Sequence, residues 1–494
     1  MLVATIAATI TVAWAASLAN DVEQLSPRLA KTLIDQIWVA TASGQLWPDG
    51  GQFAPAALMF IWLAPVTGLL AVSYHAMLPL LGAPAAIATV LAVQFAAFQA
   101  GAPALTALAL RRGLSRRVAV GLGILYAISP AALNKLSWDV VAPGAPLIVF
   151  AELARARGAW RWGTAAFVAA AWCHPFAGIG PIVWTLMRAR RAPAGPERRR
   201  EVLVAAVVAG AVLVSWTGIV ALSLQPSGGS WIDYGTMGRF ARMAANGQVA
   251  ELGLSLARNA LGVAALLGTA GFLLLRRPVL LVPLAFDLLY GLLTPQGVHE
   301  HGLVAATVGL LFVLTIEAMV TAPSRRPRLE RAALVGAGAL CVGLLWGWSD
   351  RAILRQLGAS VPPPHATALS ALDAVLRGRP CVVSPSLVPF FVNRCATVAP
   401  YAYYERLADV TRPGTAVVLA PARVLPRDRS WGMTSPDVLE WERSHAALLR
   451  IAEVARSGGL TVLHASDDVI VLAMGAGTAA DDRLLARLDA LAGP

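Results

Sequence analysis

The feature that most constrains this chain is an alternation along its length. Apolar runs about as long as a bilayer is thick are separated by loops that are by turns rich and poor in arginine. A spanning helix needs roughly 20 predominantly apolar residues. Runs of this kind cover 2–19, 85–110, 118–133, 140–155, 202–223, 258–275, 278–294, 302–321 and 332–348. Arg111, Arg112, Arg116 and Arg117 share one loop, and Arg155, Arg157 and Arg161 the next. Arg188 to Arg200, the pair Arg276 and Arg277, and Arg325 to Arg331 complete the basic set. Loops 134–139, 224–257 and 295–301 are poor in arginine. The positive-inside rule places the arginine loops in the cytoplasm and the others outside. A charged content of 14% agrees, since soluble domains carry about 25%. The net charge of +12 would otherwise suggest nucleic acid, but its surplus sits in these short loops, so no nucleic-acid partner is expected. Basic charge here means arginine, because Lys31 and Lys135 are the only lysines.

Two apolar stretches do not fit one crossing each. Run 163–188 begins and ends on the arginine side, and Trp172-Cys173-His174-Pro175 lies in its middle. Proline removes a helix hydrogen bond and disfavours helix in the residue before it. Two half-helices meeting at His174 are expected. Run 54–81 is interrupted by Pro55, Pro65 and Pro79 and reads as a re-entrant or interfacial hairpin on the outer side. The first apolar run lacks a cationic start and a good cleavage site, so it reads as a retained helix. Segment 20–53 then forms an outer loop with juxtamembrane helices.

The character changes after Trp348. Residues 350–494 form the second of two expected domains, an extracytoplasmic α/β domain following the membrane domain 1–349. Expected strands are Cys381–Ser384, Thr397–Ala399, Ala416–Ala420, Thr461–His464 and Val469–Ala473. Expected helices are Ala366–Arg377, Leu387–Asn393 and Asp437–Arg456, the last ended by Gly458-Gly459. Cys381 and Cys395 would face an oxidising compartment, where they could pair. Cys173 and Cys341 read as packing residues in apolar runs.

Ionisable groups at bilayer depth are costly and tend to mark function. Asp21 follows the first helix, and Asp35 sits in the amphipathic stretch Leu33-Ile34-Asp35-Gln36-Ile37-Trp38. Either could act as a general base, and either could be ordinary loop polarity. Asp139 lies in the next outer loop, where a helix-capping role is the plain alternative. His174 sits at the expected break, though a lone histidine in an apolar run is commonly a core residue. His299-Glu300-His301 could hold a metal, yet residues two apart do not share a helix face. Contact with phosphate or sugar is the favoured reading for His301. Asp287 lies inside a span and has no role assigned by its sequence context.

The order of these features resembles a bacterial membrane-protein family of unknown function within the GT-C superfamily of glycosyltransferases. The matching residues include Asp35-Gln36-Ile37-Trp38, Leu63-Ala64-Pro65, and Tyr126-Ala127-Ile128-Ser129-Pro130 with Asp139 after it. Tyr234-Gly235, His301, Ser384-Pro385-Ser386-Leu387-Val388-Pro389 and Asn393-Arg394 extend the resemblance over roughly four-fifths of the chain. It implies a mainly α, polytopic transmembrane bundle of about 10–12 spans, including broken helices. It also implies transfer of a sugar from a polyprenyl-phosphate donor to a cell-envelope acceptor, on the outer face of a bacterial cell membrane. The first-loop acid would then activate the acceptor. Asp139, His174 and His301 would line the site, and Arg239 and Arg242 would meet phosphate. No cofactor is fixed by these residues, and a divalent cation is left open. The chain departs from the family at Ala30, at Val140-Val141-Ala142-Pro143 and at Cys173-His174, where acids, a histidine and a Lys-Glu pair are expected. A degenerate or non-enzymatic binder of lipid-linked sugars, or a transporter, are the competing classes.

Overall fold

A computed structural model describes residues 1–23, 92–129, 143–173, 175–223, 247–293, 303–323, 327–347, 374–383, 397–400, 414–419, 448–466, 469–474 and 478–492. It also describes the single positions 73, 76, 77, 80, 81, 89, 372 and 395. The protein is mostly helical with one small sheet. The expected hairpin 54–81 and the helix Leu387–Asn393 fall outside the described residues, apart from a few positions of the former.

The helices are α1 (Leu2–Glu23), α2 (Ala92–Arg111), α3 (Arg116–Ala127), α4 (Gly144–Ala156), α5 (Trp160–Cys173) and α6 (Pro175–Arg191). They continue with α7 (Pro196–Ser223), α8 (Val249–Gly268), α9 (Ala285–Leu293), α10 (Leu303–Thr321) and α11 (Pro327–Gly347). Among the described residues, two helical segments are long and apolar enough to cross a membrane: Ala92–Arg111 and Pro196–Thr217. Helices α3 and α4 hold 12 and 13 residues, too few to span alone at about 1.5 Å per residue.

The expected break in run 163–188 is present. Helix α5 ends at Cys173 and α6 begins at Pro175, a position where proline's missing N–H costs nothing. The chain folds back there. A Cβ placed on Gly178 would lie 2.8 Å from Ala171 Cβ, whereas residues seven apart in one helix are about 10 Å apart.

Two expected spans are corrected. Run 258–275 stops as a helix at Gly268, because Gly271 (φ +67°) and Phe272 (φ +54°) turn the backbone. Glycine fits this turn, since its Cα faces the carbonyl of Ala333 and a Cβ would sit 2.9 Å from that oxygen. Run 278–294 is also not one helix. Residues Pro278–Leu284 form a 3₁₀ segment containing Pro283, and α-helix starts only at Ala285.

All five arginine loops meet at one end of the bundle. Arg111 Nε donates to the carbonyl of Ala156 (2.9 Å), joining the ends of α2 and α4. Arg188 on α6 donates to Glu152 on α4 (2.9 Å), and Arg155 and Arg188 both pair with Glu201 at the start of α7. Arg276 pairs with Glu330 of α11 (2.6 Å), and Arg277 donates to the carbonyl of Thr321 at the end of α10 (2.7 Å). Glu152 is the hub, 1% exposed. It also accepts from Trp184 Nε1 (3.2 Å) and has Arg112 and Arg155 at 3.6 and 3.7 Å. Charged groups this deep persist only when paired and hydrogen-bonded.

Small residues let α4 and α10 touch backbone to backbone. A Cβ on Gly309 would lie 2.3 Å from the carbonyl oxygen of Ala145, the close approach that small residues permit between apolar helices. Gly309→Leu is therefore expected to lower stability by about 1–3 kcal/mol. Gly336→Leu on α11 should be near neutral, because a Cβ there meets nothing within 4 Å. Unfolding of the two purified variants in detergent checks the contrast.

The sheet runs β2-β1-β3-β5-β4-β6. Its strands are β1 (Pro380–Val383), β2 (Thr397–Pro400), β3 (Ala416–Leu419), β4 (Thr461–Ala465), β5 (Ile470–Ala473) and β6 (Thr478–Ala479). The first three are parallel, and β5, β4 and β6 each add antiparallel to the preceding neighbour. Side chains alternate between faces, as strands require. Val382, Val417, Leu419, Ile470 and Leu472 share one apolar cluster with Leu448, Ile451 and Ala455 of α12 (448–456) and Leu484 and Leu488 of α13 (Asp482–Ala492). Helix α12 ends as expected at Gly458 (φ +76°), with Gly459 N donating to Val454 O (2.9 Å). Helix α13 and β6 were not foreseen. Asp481 caps α13 by accepting from Leu484 N (2.8 Å). Cys381 and Cys395 form a disulfide, with Cα atoms 5.9 Å apart, while Cys173 and Cys341 are buried thiols.

Candidate functional site

The strongest candidate lies at the end of the bundle away from the arginines, where α5 turns into α6. Phe176, the second residue of α6, is the centre of an aromatic cluster. Its ring centroid is 5.2 Å from Trp216 on α7, 4.9 Å from Phe286 and 5.4 Å from Tyr290, both on α9. Asp287 follows Phe286 and accepts a hydrogen bond from the Thr307 hydroxyl of α10 (2.7 Å). Asn259 of α8 donates to the carbonyl of Leu292 (2.9 Å), fixing α8 against α9. Helical rise puts Phe176 about 18 Å from Arg188 on its own helix, and Thr307 about 21 Å from Thr321 on its own. The aromatic rings and the carboxylate thus lie at one depth, well removed from the charged end.

The sequence context explains this convergence. Pro175 starts α6 and so delivers Phe176 in its first turn. Pro283 holds off the α-helix until Ala285, which brings Phe286, Asp287 and Tyr290 onto α9. Short apolar helices alone would supply greasy walls. Asp287 and Thr307 add a carboxylate and a hydroxyl. Aromatic faces with few fixed polar groups are the usual make-up of a small-ligand site.

A second group of polar atoms lies at α2 and α3. Among the described residues, Gln99 Oε1, Tyr126 OH and Ser129 Oγ are buried without a hydrogen-bond partner, as is Trp172 Nε1 just before the break. Gln99 Nε2 donates to the carbonyl of Ala127 (3.0 Å), and the Tyr126 ring stacks on Phe98 at 4.8 Å. Tyr126 and Ser129 belong to the Tyr-x-x-Ser-Pro stretch noted in the sequence. Buried polar atoms are normally satisfied, so these are marked positions.

Of the residues expected to form the site, Asp35, Asp139, His174, His301, Arg239 and Arg242 lie outside the described residues. Asp21 stands in the last turn of α1, which ends two residues later. His174 is flanked by the ends of α5 and α6, so its neighbours in the chain lead directly into the aromatic cluster. Among the described residues no three of His, Cys, Asp and Glu come together as a metal site. The sequence reading passed over Phe176, Trp216, Tyr290 and Thr307. The usable signal was the aromatic one residue past the proline, read together with a lone aspartate in a later apolar run. No family model matches the chain, and no curated protein and no solved structure is significantly similar to it.

Proposed function

We propose that the chain is a multi-pass membrane protein of GT-C-like architecture that transfers a sugar from a polyprenyl-phosphate donor to a cell-envelope acceptor on the outer face. The observation that carries this reading is the broken α5–α6 pair, whose Phe176 packs against Trp216 and Tyr290, with the Asp287–Thr307 pair on the neighbouring helices. Interrupted backbone at membrane depth is tolerated where it is buried in protein or lines a polar cavity. An intramembrane carboxylate marks function by default. Aromatic rings suit both an isoprenoid chain and the apolar face of a sugar. In this reading Asp35 or Asp21 takes the acceptor hydroxyl proton, His174, His301 and Asp139 line the site, and Arg239 and Arg242 hold the phosphate.

Membrane insertion is supported by large apolar side chains left exposed on outward faces: Val207 and Leu213 on α7, Leu254 and Leu261 on α8, Val335 and Val342 on α11. Soluble proteins rarely expose contiguous apolar patches beyond a few hundred Å². The gathering of the arginine loops supports a cytoplasmic assignment for that end. The Cys381–Cys395 disulfide supports an extracytoplasmic location for the α/β part. In intact cells, alkylation after denaturation should therefore modify only Cys173 and Cys341 until reductant is added, and all four cysteines thereafter. Four reactive thiols without reductant would place the sheet in a reducing compartment.

The direct test compares envelope glycans and lipid-linked sugars in a deletion strain and its parent. The expected result is loss of one glycan modification with build-up of its polyprenyl-linked donor. Unchanged envelope chemistry would reject the reaction.

A further inference from the structure

At the arginine end the charges form two tiers. The inner tier is paired: Arg112, Arg155 and Arg188 surround Glu152, with Glu201 joining the latter two. The outer tier has no ion pair among the described residues. Arg198, Arg199 and Arg200 occupy the first turns of α7 and are exposed, with Glu197 before them and Glu201, which Arg155 and Arg188 already engage, after them on that helix. Arg200 and Arg161 each place a guanidinium 5.6 Å from the Trp160 ring, which brings the start of α5 against the start of α7. Trp162, on the same first turn of α5, is 76% exposed.

The charged turn continues into an apolar stripe. Arg199, Leu203, Val207 and Val214 follow one another at helical spacings of four, four and seven, so they share one face of α7. Leu203 and Val207 are 53% and 44% exposed. A ligand lying along this face would meet guanidinium groups at one end and only hydrocarbon for the next three turns. Free phosphate uses only the first half of such a surface, and nucleic acid would have to cover the apolar half. A diacyl phospholipid with an anionic headgroup uses both. Tryptophan beside the arginines fits the headgroup level, where amphipathic rings concentrate.

We infer that Arg161, Arg199 and Arg200, with Trp160 and the Leu203–Val207 face, form a binding site for an anionic phospholipid at the cytoplasmic end of α5 and α7. The inference rests on the membrane placement proposed above and not on sugar transfer, so the two fail separately. The test uses the full chain purified in detergent, incubated with equal dioleoyl phosphatidylglycerol and dioleoyl phosphatidylcholine, with retained lipid read by native mass spectrometry. Phosphatidylglycerol should be retained preferentially. Each arginine beside an anionic headgroup is worth about fivefold, so Arg161→Gln/Arg199→Gln/Arg200→Gln should reduce that preference at least tenfold. Leu203→Gln/Val207→Gln, which keeps every arginine, should weaken retention of the same lipid. Excess inorganic phosphate should not displace it. Equal retention of the two lipids by the unaltered chain would overturn the site, a result that does not depend on any variant folding. Displacement by phosphate, with no effect of the Leu203/Val207 change, would make it a phosphate site and overturn it equally.

Discussion

Glu152→Ala should cost about 3–5 kcal/mol of stability, the penalty for removing one partner of a buried charge group. The carboxylate is 1% exposed and accepts from Arg188 and Trp184, with Arg112 and Arg155 within 3.7 Å. Without it Arg155 would be left with Glu201, Arg188 with Glu201 and the more distant Glu317, and Arg112 would have no carboxylate in this group. The ends of α2, α4, α6 and α7 are joined here, so repulsion among these guanidinium groups would open the bundle where its helices meet. Glu152→Gln should fall between the two, because an amide oxygen can still accept from Trp184. Glu453→Ala is the control. Its pair with Arg450 is 57% exposed on both sides, and exposed pairs contribute about 0–1 kcal/mol. Denaturant unfolding of the three purified variants reads the ranking. Equal losses for Glu152→Ala and Glu453→Ala would mean that the buried cluster does not hold the helices together.

The second large effect is on the proposed reaction. Loss of a general base typically lowers a rate by about 10²–10⁴-fold, and Asp35→Ala is expected to do so for sugar transfer in isolated membranes, with the folded amount of protein unchanged. Asp35→Glu should keep part of the activity, since the carboxylate survives with altered reach. Asp21→Ala, which alters a residue in the last turn of α1, should cost less if Asp35 is the base. If the order is reversed, Asp21 takes that role. Full activity in both alanine variants would remove the first-loop acids from the reaction.

What could be read in the chain was what local chemistry dictates. Pro175 after His174 fixed the break between α5 and α6. Arginine spacing identified which loops meet, and Arg276–Glu330 and Arg188–Glu152 now join them. Short apolar runs rich in valine located five of the six strands, and Gly458 marked the end of α12. What escaped depends on tertiary partners. Glu152 looks like an ordinary acid three residues before Arg155, and only the fold brings Arg188 and Trp184 to it. Run 258–275 is almost entirely apolar from Ala260 onward, yet the turn at Gly271 and Phe272 is set by the approach of Ala333 from α11. The pairing of Asp287 with Thr307 links residues twenty apart through the crossing of α9 and α10. An aromatic cluster assembled from α6, α7 and α9 has no one-dimensional signature at all.

Photolabelling tests the central claim most directly. A short-chain polyprenyl phosphate carrying a diazirine near its phosphate would be added to membranes containing the full chain, irradiated, and its adducts mapped by mass spectrometry. The account predicts labels on the peptides that hold Phe176, Trp216 and Tyr290, abolished by excess unlabelled polyprenyl phosphate. Labels confined to α11 or to the α/β part, or labels that the natural lipid does not displace, would contradict it.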